Sequence, residues 1–329
     1  MRVLRRFCTY FDSNYLVRGL ALYRSLARHC PGFELWVLGL DQAASRTLQN
    51  LGLPGLRLLT LEELEEAHPG LAEARRSRSR VEYYFTCTPS LLLHLLACAP
   101  EGESLTYLDA DLYFFADLSP VAREFGDDSI LIVPHRFPPP LRRLEEHGVY
   151  NVGLMSFARD PNARECLEWW RDRCLEWCYD RVEPGKFADQ KYLDDWPARF
   201  KRVRVLEHLG TGAAPWNVAA HPIQHRDGEV WIGADPLIVY HFHALKRLNR
   251  WIYDSGLAAY RASMTPVLKK HVYAPYLREL EDLQRWLRGA APEFTPGWGS
   301  ARRDLRGHLR MARGLIRGSL LISDHATLP

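Results

Sequence analysis

The chain has 329 residues, 43 lysines and arginines against 40 aspartates and glutamates, 47% hydrophobic residues and 12% aromatic residues. Such a composition can bury a substantial core, which excludes global disorder, and domains of ~100–200 residues allow one large unit or two modest ones. The net charge of +3 is too small for a nucleic-acid coat and argues against nucleic acid as a partner.

In chain order, residues 3–10 read as a strand and 13–28 as a helix. A second strand over 33–40 leads to a helix over 42–51, and a short strand over 56–59 leads to a helix begun by acidic residues 62–66. Residues 80–98 read as a helix, 104–108 as a strand ending in an acidic turn, and 129–134 and 152–157 as further strands. A helix rich in Trp and Cys covers 165–179, and strands follow over 203–206, 229–232 and 237–243. This alternation predicts an α/β fold with a mostly parallel, Rossmann-like sheet flanked by helices. Beyond residue 250 the pattern turns helical, with breaks at Pro275 and over 291–298, and 301–321 reads as an amphipathic helix. The expected division is therefore 1–250 for the α/β unit and 251–329 for a helical C-terminal extension.

Seven cysteines form no C-x-x-C pair and cannot all pair with one another, so they read as reduced, mostly buried thiols suited to a cytosol. Residues 1–6 lack the apolar core of a signal peptide, and the richest apolar run, 91–99, is interrupted by His94 and too short for a bilayer. The expectation is a cytoplasmic protein.

Two segments carry chemistry. Asp109-Ala110-Asp111 follows an apolar strand and lies between large apolar residues. Open α/β sheets bind ligands at the carboxyl ends of their strands. Two residues apart on an extended chain, the two carboxylates point to one side, where a cation between them would relieve their repulsion. Hard oxygen ligands suit Mg²⁺ or Mn²⁺, ions that commonly also hold substrate phosphates. The plain alternative is a solvated turn. In the second segment, His241 and His243 face one way along a strand, and Lys246 and Arg247 follow. Imidazoles there can ligate a metal and the cations can neutralise a diphosphate; the alternative is two ordinary sheet histidines and a basic strand exit.

These segments resemble glycosyltransferases of the GT-A fold. The Asp109–Asp111 turn is similar to their Asp-x-Asp, which holds a divalent cation against the diphosphate of a nucleotide sugar. The run from His241 is similar to the family 8 segment His-Phe-x-Gly-x-x-Lys-Pro-Trp, with Ala244 in place of Gly and Arg247 at the Lys position. The resemblance implies Asp109, Asp111 and His241 as metal ligands and leaves His243 open. It also leaves open whether Lys246 or Arg247 meets the phosphate.

Three more segments match in the same order. The turn from Tyr10 to Asp12 corresponds to the one that cups the base and ribose, although Asp12 can equally cap the helix. Tyr150-Asn151-Val152-Gly153 resembles the Phe-Asn-Ser-Gly strand, implying Asn151 on the donor sugar and Gly153 giving it room. Phe187-Ala188-Asp189-Gln190 resembles Gly-Asp-Gln, implying Asp189 and Gln190 beside the anomeric carbon. Arg80 is the one cation of the basic run 75–80, otherwise read as a solvated or mobile loop, implied to reach the donor phosphates. Asn217 is a further acceptor-side contact, with Trp216 read as core.

The resemblance spans about three quarters of the chain. It implies a Mn²⁺- or Mg²⁺-dependent, family 8-like transferase moving a sugar from a UDP-sugar to a glycan or lipid-linked acceptor with retention, as in bacterial surface polysaccharide assembly. The alternatives are a catalytically silent binding subunit of a polysaccharide synthase and a sugar nucleotidyltransferase. The latter usually carries a Gly-rich basic loop where this chain has Tyr-Phe-Asp-Ser-Asn. Residues 301–317 hold six Arg and one Asp, net +5, which leaves the body near neutral at −2. This basic helix reads either as a surface helix packed on the domain or as a peripheral contact with the anionic inner membrane face.

Overall fold

The computed structural model describes residues 5–249, 251–294 and 320–322. The first half runs β1 (Arg6–Phe11), α1 (Leu16–His29), β2 (Glu34–Gly39), α2 (Gln42–Leu51), β3 (Leu56–Thr60), α3 (Leu61–Ala67), α4 (Gly70–Ser77), α5 (Arg80–Cys98) and β4 (Ser104–Leu108). Local chemistry sets these boundaries. Asp41 caps α2 by accepting from the Ala44 N–H at 2.8 Å, and Thr60/Glu63 and Ser79/Glu82 form reciprocal capping boxes at the starts of α3 and α5.

There follow β5 (Leu112–Phe114), α6 (Ser119–Phe125), β6 (Ile130–Pro134), β7 (Tyr150–Ala158), α7 (Pro161–Glu176), α8 (Trp196–Arg199) and β8 (Val203–Val205). The central sheet has the order β3-β2-β1-β4-β7-β6-β8, and β7 alone runs against the other six strands. Because β7 is reversed, its amino-terminal end lies at the same sheet edge as the carboxyl ends of β1, β2 and β4. That edge collects Asp12, Asp41, Asp109 and Asn151.

The remaining strands are β9 (Ile223–Arg226), β10 (Glu229–Ile232), β11 (Asp235–Pro236), β12 (Val239–His241), β13 (Lys246–Arg247) and β14 (Ile252–Asp254). They are followed by α9 (Pro266–Leu268), α10 (Ala274–Ala290) and β15 (Leu320–Ile322). They form three small sheets: β9–β11, β12 with β5, and β13-β14-β15.

Each face of the central sheet has its own apolar cluster. One packs β1 and β2 against α1, β5, β12 and α10, with Phe242 stacked on Tyr276 at 3.8 Å between ring centres. The other packs the sheet against α5 and α7 through Leu91, Leu95, Trp170 and Trp196. Glu279 of α10 pairs with Arg28 (2.7 Å) and Arg24 (3.2 Å), tying this helix to α1.

Several expectations need correction. The basic run is not a loop: residues 75–77 end α4, Arg75 pairs with Glu65 and Arg76 with Glu73, and Arg78 donates to Thr86 and to the Leu175 carbonyl. Residues beyond 250 open with β14, not a helix. Pro275 lies in the first turn of α10, where a missing N–H costs nothing. The expected helix 301–321 lies outside the described residues except for its last two, which belong to β15. All seven cysteines are free, and all but Cys98 are buried. No described helix is long and apolar enough to cross a membrane.

Candidate metal and sugar-nucleotide site

The acidic turn is built by register. β4 and β7 pair Leu108 with Leu154, which sets Gly153 beside Asp109; the Asp109 N–H donates to the Gly153 carbonyl at 2.8 Å. The chain then turns into β5, whose antiparallel pairing with β12 puts His241 opposite Leu112. The Phe242 N–H donates to the Asp111 carbonyl at 3.0 Å, which fixes the two segments to each other. As a result His241 Nε2 lies 3.0 Å from Asp111 Oδ1 and 3.6 Å from Asp109 Oδ2. One ligand atom from each of the three residues falls within 4.8 Å of the others.

The electrostatics of this triad call for a cation. Burial and the neighbouring Asp111 charge push the Asp109 carboxyl up. Asp111 loses solvation too, yet the His241 and Arg18 charges hold it well below the usual carboxylate range. Burial disfavours the His241 imidazolium, but the Asp111 and Asp109 carboxylates overcome that and raise its pKa. A proton on His241 thus supplies positive charge directly against both acids, and a divalent ion would replace it. Two carboxylates and an imidazole are a donor set suited to Mn²⁺ or Mg²⁺.

Space for the ion is preserved by Gly153. A Cβ there would lie 2.5 Å from Asn151 Oδ1, 2.9 Å from His241 Cε1 and 3.0 Å from Asp109 Oδ2. The Asp109 side chain retains 31% of its exposure, so the triad opens to solvent on one side. The residues present therefore fit a divalent cation. His243 stands outside the triad: it is exposed, its ring centre 5.8 Å from that of His241 and its plane nearly perpendicular.

Around the triad lie the other expected residues. Asn151 Oδ1 accepts from the Gly153 N–H at 2.7 Å, and its amide nitrogen donates to His135 Nε2 at 3.2 Å. Burial pushes the His135 imidazole down to about 3, so it is neutral, and its Nδ1–H donates to the Val149 carbonyl at 3.2 Å. That leaves Nε2 as the acceptor that orients Asn151. Asp189 is buried behind the triad, and its Oδ2 accepts from Thr88 Oγ1 at 2.9 Å. Burial pushes its carboxyl up to about 7, with the Thr88 hydroxyl opposing and the Asp109 charge adding. Gln190 donates to the His147 carbonyl at 3.1 Å. The Tyr10 hydroxyl meets Thr88 Oγ1 at 3.3 Å.

Asp12 accepts from the Asn14 N–H (3.0 Å) and Tyr15 N–H (3.3 Å), so its carboxylate caps the turn before α1. Arg80 is exposed on the first turn of α5 and acts electrostatically on Asp41 and Tyr84, at the rim formed by the ends of β1 and β2. Lys246 is exposed and its charge reaches His243. Arg247 is turned to the other side, donating to Gln284 Oε1 (2.7 Å) and the Asn249 carbonyl (3.0 Å). Asn217 is buried, with its oxygen on the Ala214 N–H and its amide on the His135 and Gly212 carbonyls. Trp216 is buried yet packs edge-on against both His241 and His243.

Three residues of this neighbourhood escaped sequence reading. His135 has no motif around it. Thr88 sits in an apolar helix. Arg18, whose Nη2 donates to the Leu245 carbonyl at 2.7 Å and whose charge acts on Asp111, could have been found as a cation one turn into the helix after β1.

The fold is GT-A-like. It is similar to the crystal structure of the galactosyltransferase LgtC in complex with donor and acceptor sugar analogs, with a TM-score of 0.53 and 16% identity over 87% of this chain and 99% of that one. No family model matches the sequence. The chain is 29% identical over 298 residues to the uncharacterized protein YfnD of Bacillus subtilis (strain 168), covering 89% of this chain and 94% of YfnD. It is 34% identical over 244 residues to the uncharacterized protein YfnF of the same organism, covering 72% of this chain and 80% of YfnF, and it belongs to the same family as YfnF.

Proposed function

We propose that the protein is a metal-dependent, family 8-type glycosyltransferase that moves a sugar from a UDP-sugar to a glycan or lipid-linked acceptor with retention of anomeric configuration. The observation that carries this reading is the Asp109–Asp111–His241 triad at the ligand-binding edge of a GT-A-like sheet. Asp109, Asp111 and His241 would hold Mn²⁺ or Mg²⁺. A cation bound there offsets the negative charge that builds on a departing diphosphate.

The chain's own groups do the rest. Lys246, exposed beside His243, supplies a mobile positive charge to the leaving diphosphate, and Arg18 lowers the cost of a charged Asp111. Arg80, Tyr10 and the turn around Asp12 line the nucleotide side. Asn151, held by His135, offers an amide to a sugar hydroxyl, while Asp189 and Gln190 flank the anomeric carbon. Gly153 lets the sugar approach the backbone without a side chain in the way.

The test is incubation with Mn²⁺ or Mg²⁺ and a panel of nucleotide sugars, following nucleoside-diphosphate release. Release from a UDP-sugar that stops with a chelator is expected, and NMR of the product should show a retained anomer. An inverted anomer would remove the retaining claim, and absence of both turnover and UDP binding would remove the reading itself.

A further inference from the structure

Thr88 lies in the interior of α5, fully buried, immediately before Pro89. A buried threonine in a helix ordinarily satisfies its hydroxyl on the carbonyl four residues back. Thr86, two positions away in the same helix, does so with the Glu82 carbonyl at 2.8 Å. Thr88 instead turns its hydroxyl out of the helix to Asp189 Oδ2 at 2.9 Å, a residue 101 positions away, and meets the Tyr10 hydroxyl at 3.3 Å on its other side. The Tyr107 hydroxyl in turn donates to Asp109 Oδ1 at 2.9 Å, and the Tyr10 and Tyr107 rings are 5.7 Å apart.

Since Thr88 donates its one proton to the carboxylate, Tyr10 is the donor to Thr88. Hydroxyls from α5, β1 and β4 thus line the buried space between the carboxyl beside the sugar and the carboxyl of the triad. Asp189 is further fixed through its backbone, whose carbonyl accepts from Trp170 Nε1 at 2.8 Å, so its side chain hangs from a rigid point.

We infer that Thr88 is a positioning residue for Asp189: its hydroxyl, backed by Tyr10, orients the carboxylate toward the reacting sugar and favours its charged form. The inference rests on the glycosyl-transfer reading. A side chain that merely filled the core would tolerate valine, which keeps the shape of threonine and lacks the hydroxyl.

The test uses the full-length protein with Mn²⁺ and the UDP-sugar the wild type turns over. Thr88→Val should lower kcat roughly tenfold to a hundredfold while the donor KM stays within about threefold, and Thr88→Ser should restore most of it. The groups facing Asp189 are Tyr107 from β4, Asp109 from the turn after it, Tyr10 from β1 and Cys174 from α7. All remain in the variant, so the inflection of kcat against pH that belongs to Asp189 should move to higher pH in Thr88→Val and return in Thr88→Ser. In an Asp189→Asn background, adding Thr88→Val should cost no further activity. Thr88→Ala serves as a second variant if valine does not fold. Losses that multiply in the double variant, or an active wild type unaffected by Thr88→Val, would overturn the inference alone. A wild type that neither turns over nor binds any UDP-sugar would overturn the transferase reading and the inference with it.

Discussion

Two acidic regions share this site and are built on opposite principles. Asp109 and Asp111 stand at a strand end, partly open to solvent and in contact with His241, so their charges are close together and are met at contact distance by the His241 proton, with Arg18 acting on Asp111. Asp189 is 4% exposed, lies between α5 and α7 with no cation against it among the described residues, and is held by a neutral hydroxyl. The first arrangement stores an unmet demand for a cation. The second keeps a single carboxyl poised between its charged and neutral forms near neutral pH. In the proposed mechanism the same residue type would serve as metal ligand in one place and as sugar-side group in the other, and the environment decides which.

The strongest way to break this contrast is to remove charge from the first region. Asp111→Asn should lower turnover by about 10²–10³, with the loss recovered poorly at high Mn²⁺, because the asparagine keeps shape but not charge. Next in size is the pH dependence of stability in the second region. The folded Asp189 carboxyl titrates at about 7 instead of 3.8, so it destabilises the fold only once it ionises. Its contribution is intact below pH ~4 and is lost as pH rises through 7, by roughly 4 kcal/mol at most. Asp189→Asn should therefore match the wild type in Tm at pH 4 and exceed it at pH 8. Equal Tm differences at both pH values would contradict the buried-carboxyl account.

The smallest effect sharpens the boundary of the first region. Lys246→Ala should cost roughly tenfold to a hundredfold in kcat/KM, the scale of a hydrogen bond to a charged group. Arg247→Ala should leave kcat/KM within about threefold, because its guanidinium is engaged with Gln284. The reverse ranking would assign the diphosphate contact to Arg247.

Much of this was legible in the sequence for physical reasons. α2, α5, β4 and β10 fall where apolar periodicity and capping residues put them, and the Asp109–Asp111 turn and His241 stand out because acids and imidazoles rarely interrupt apolar strands. What could not be read is what depends on pairing across long distances. β5 has three residues, too few for periodicity to register, yet its pairing with β12, which lies inside the expected strand 237–243, is what carries His241 to Asp111. His135 acquires its role from the return of β7 beside β6, which sets Asn151 next to it. Thr88 looks like an ordinary core threonine until Asp189 is folded against it. Lys246 and Arg247 are indistinguishable as a sequence pair, and only the pairing of β13 with β14 and the position of α10 separate them.

The central claim is that Asp109, Asp111 and His241 form one divalent-cation site that a diphosphate completes. Electron paramagnetic resonance of free Mn²⁺ during titration of the protein, with and without UDP, tests it most directly. The account predicts a single site in the wild type, tightened by UDP, and lost in Asp111→Asn and in His241→Ala. Mn²⁺ binding that is unchanged in both variants, or indifferent to UDP, would contradict it.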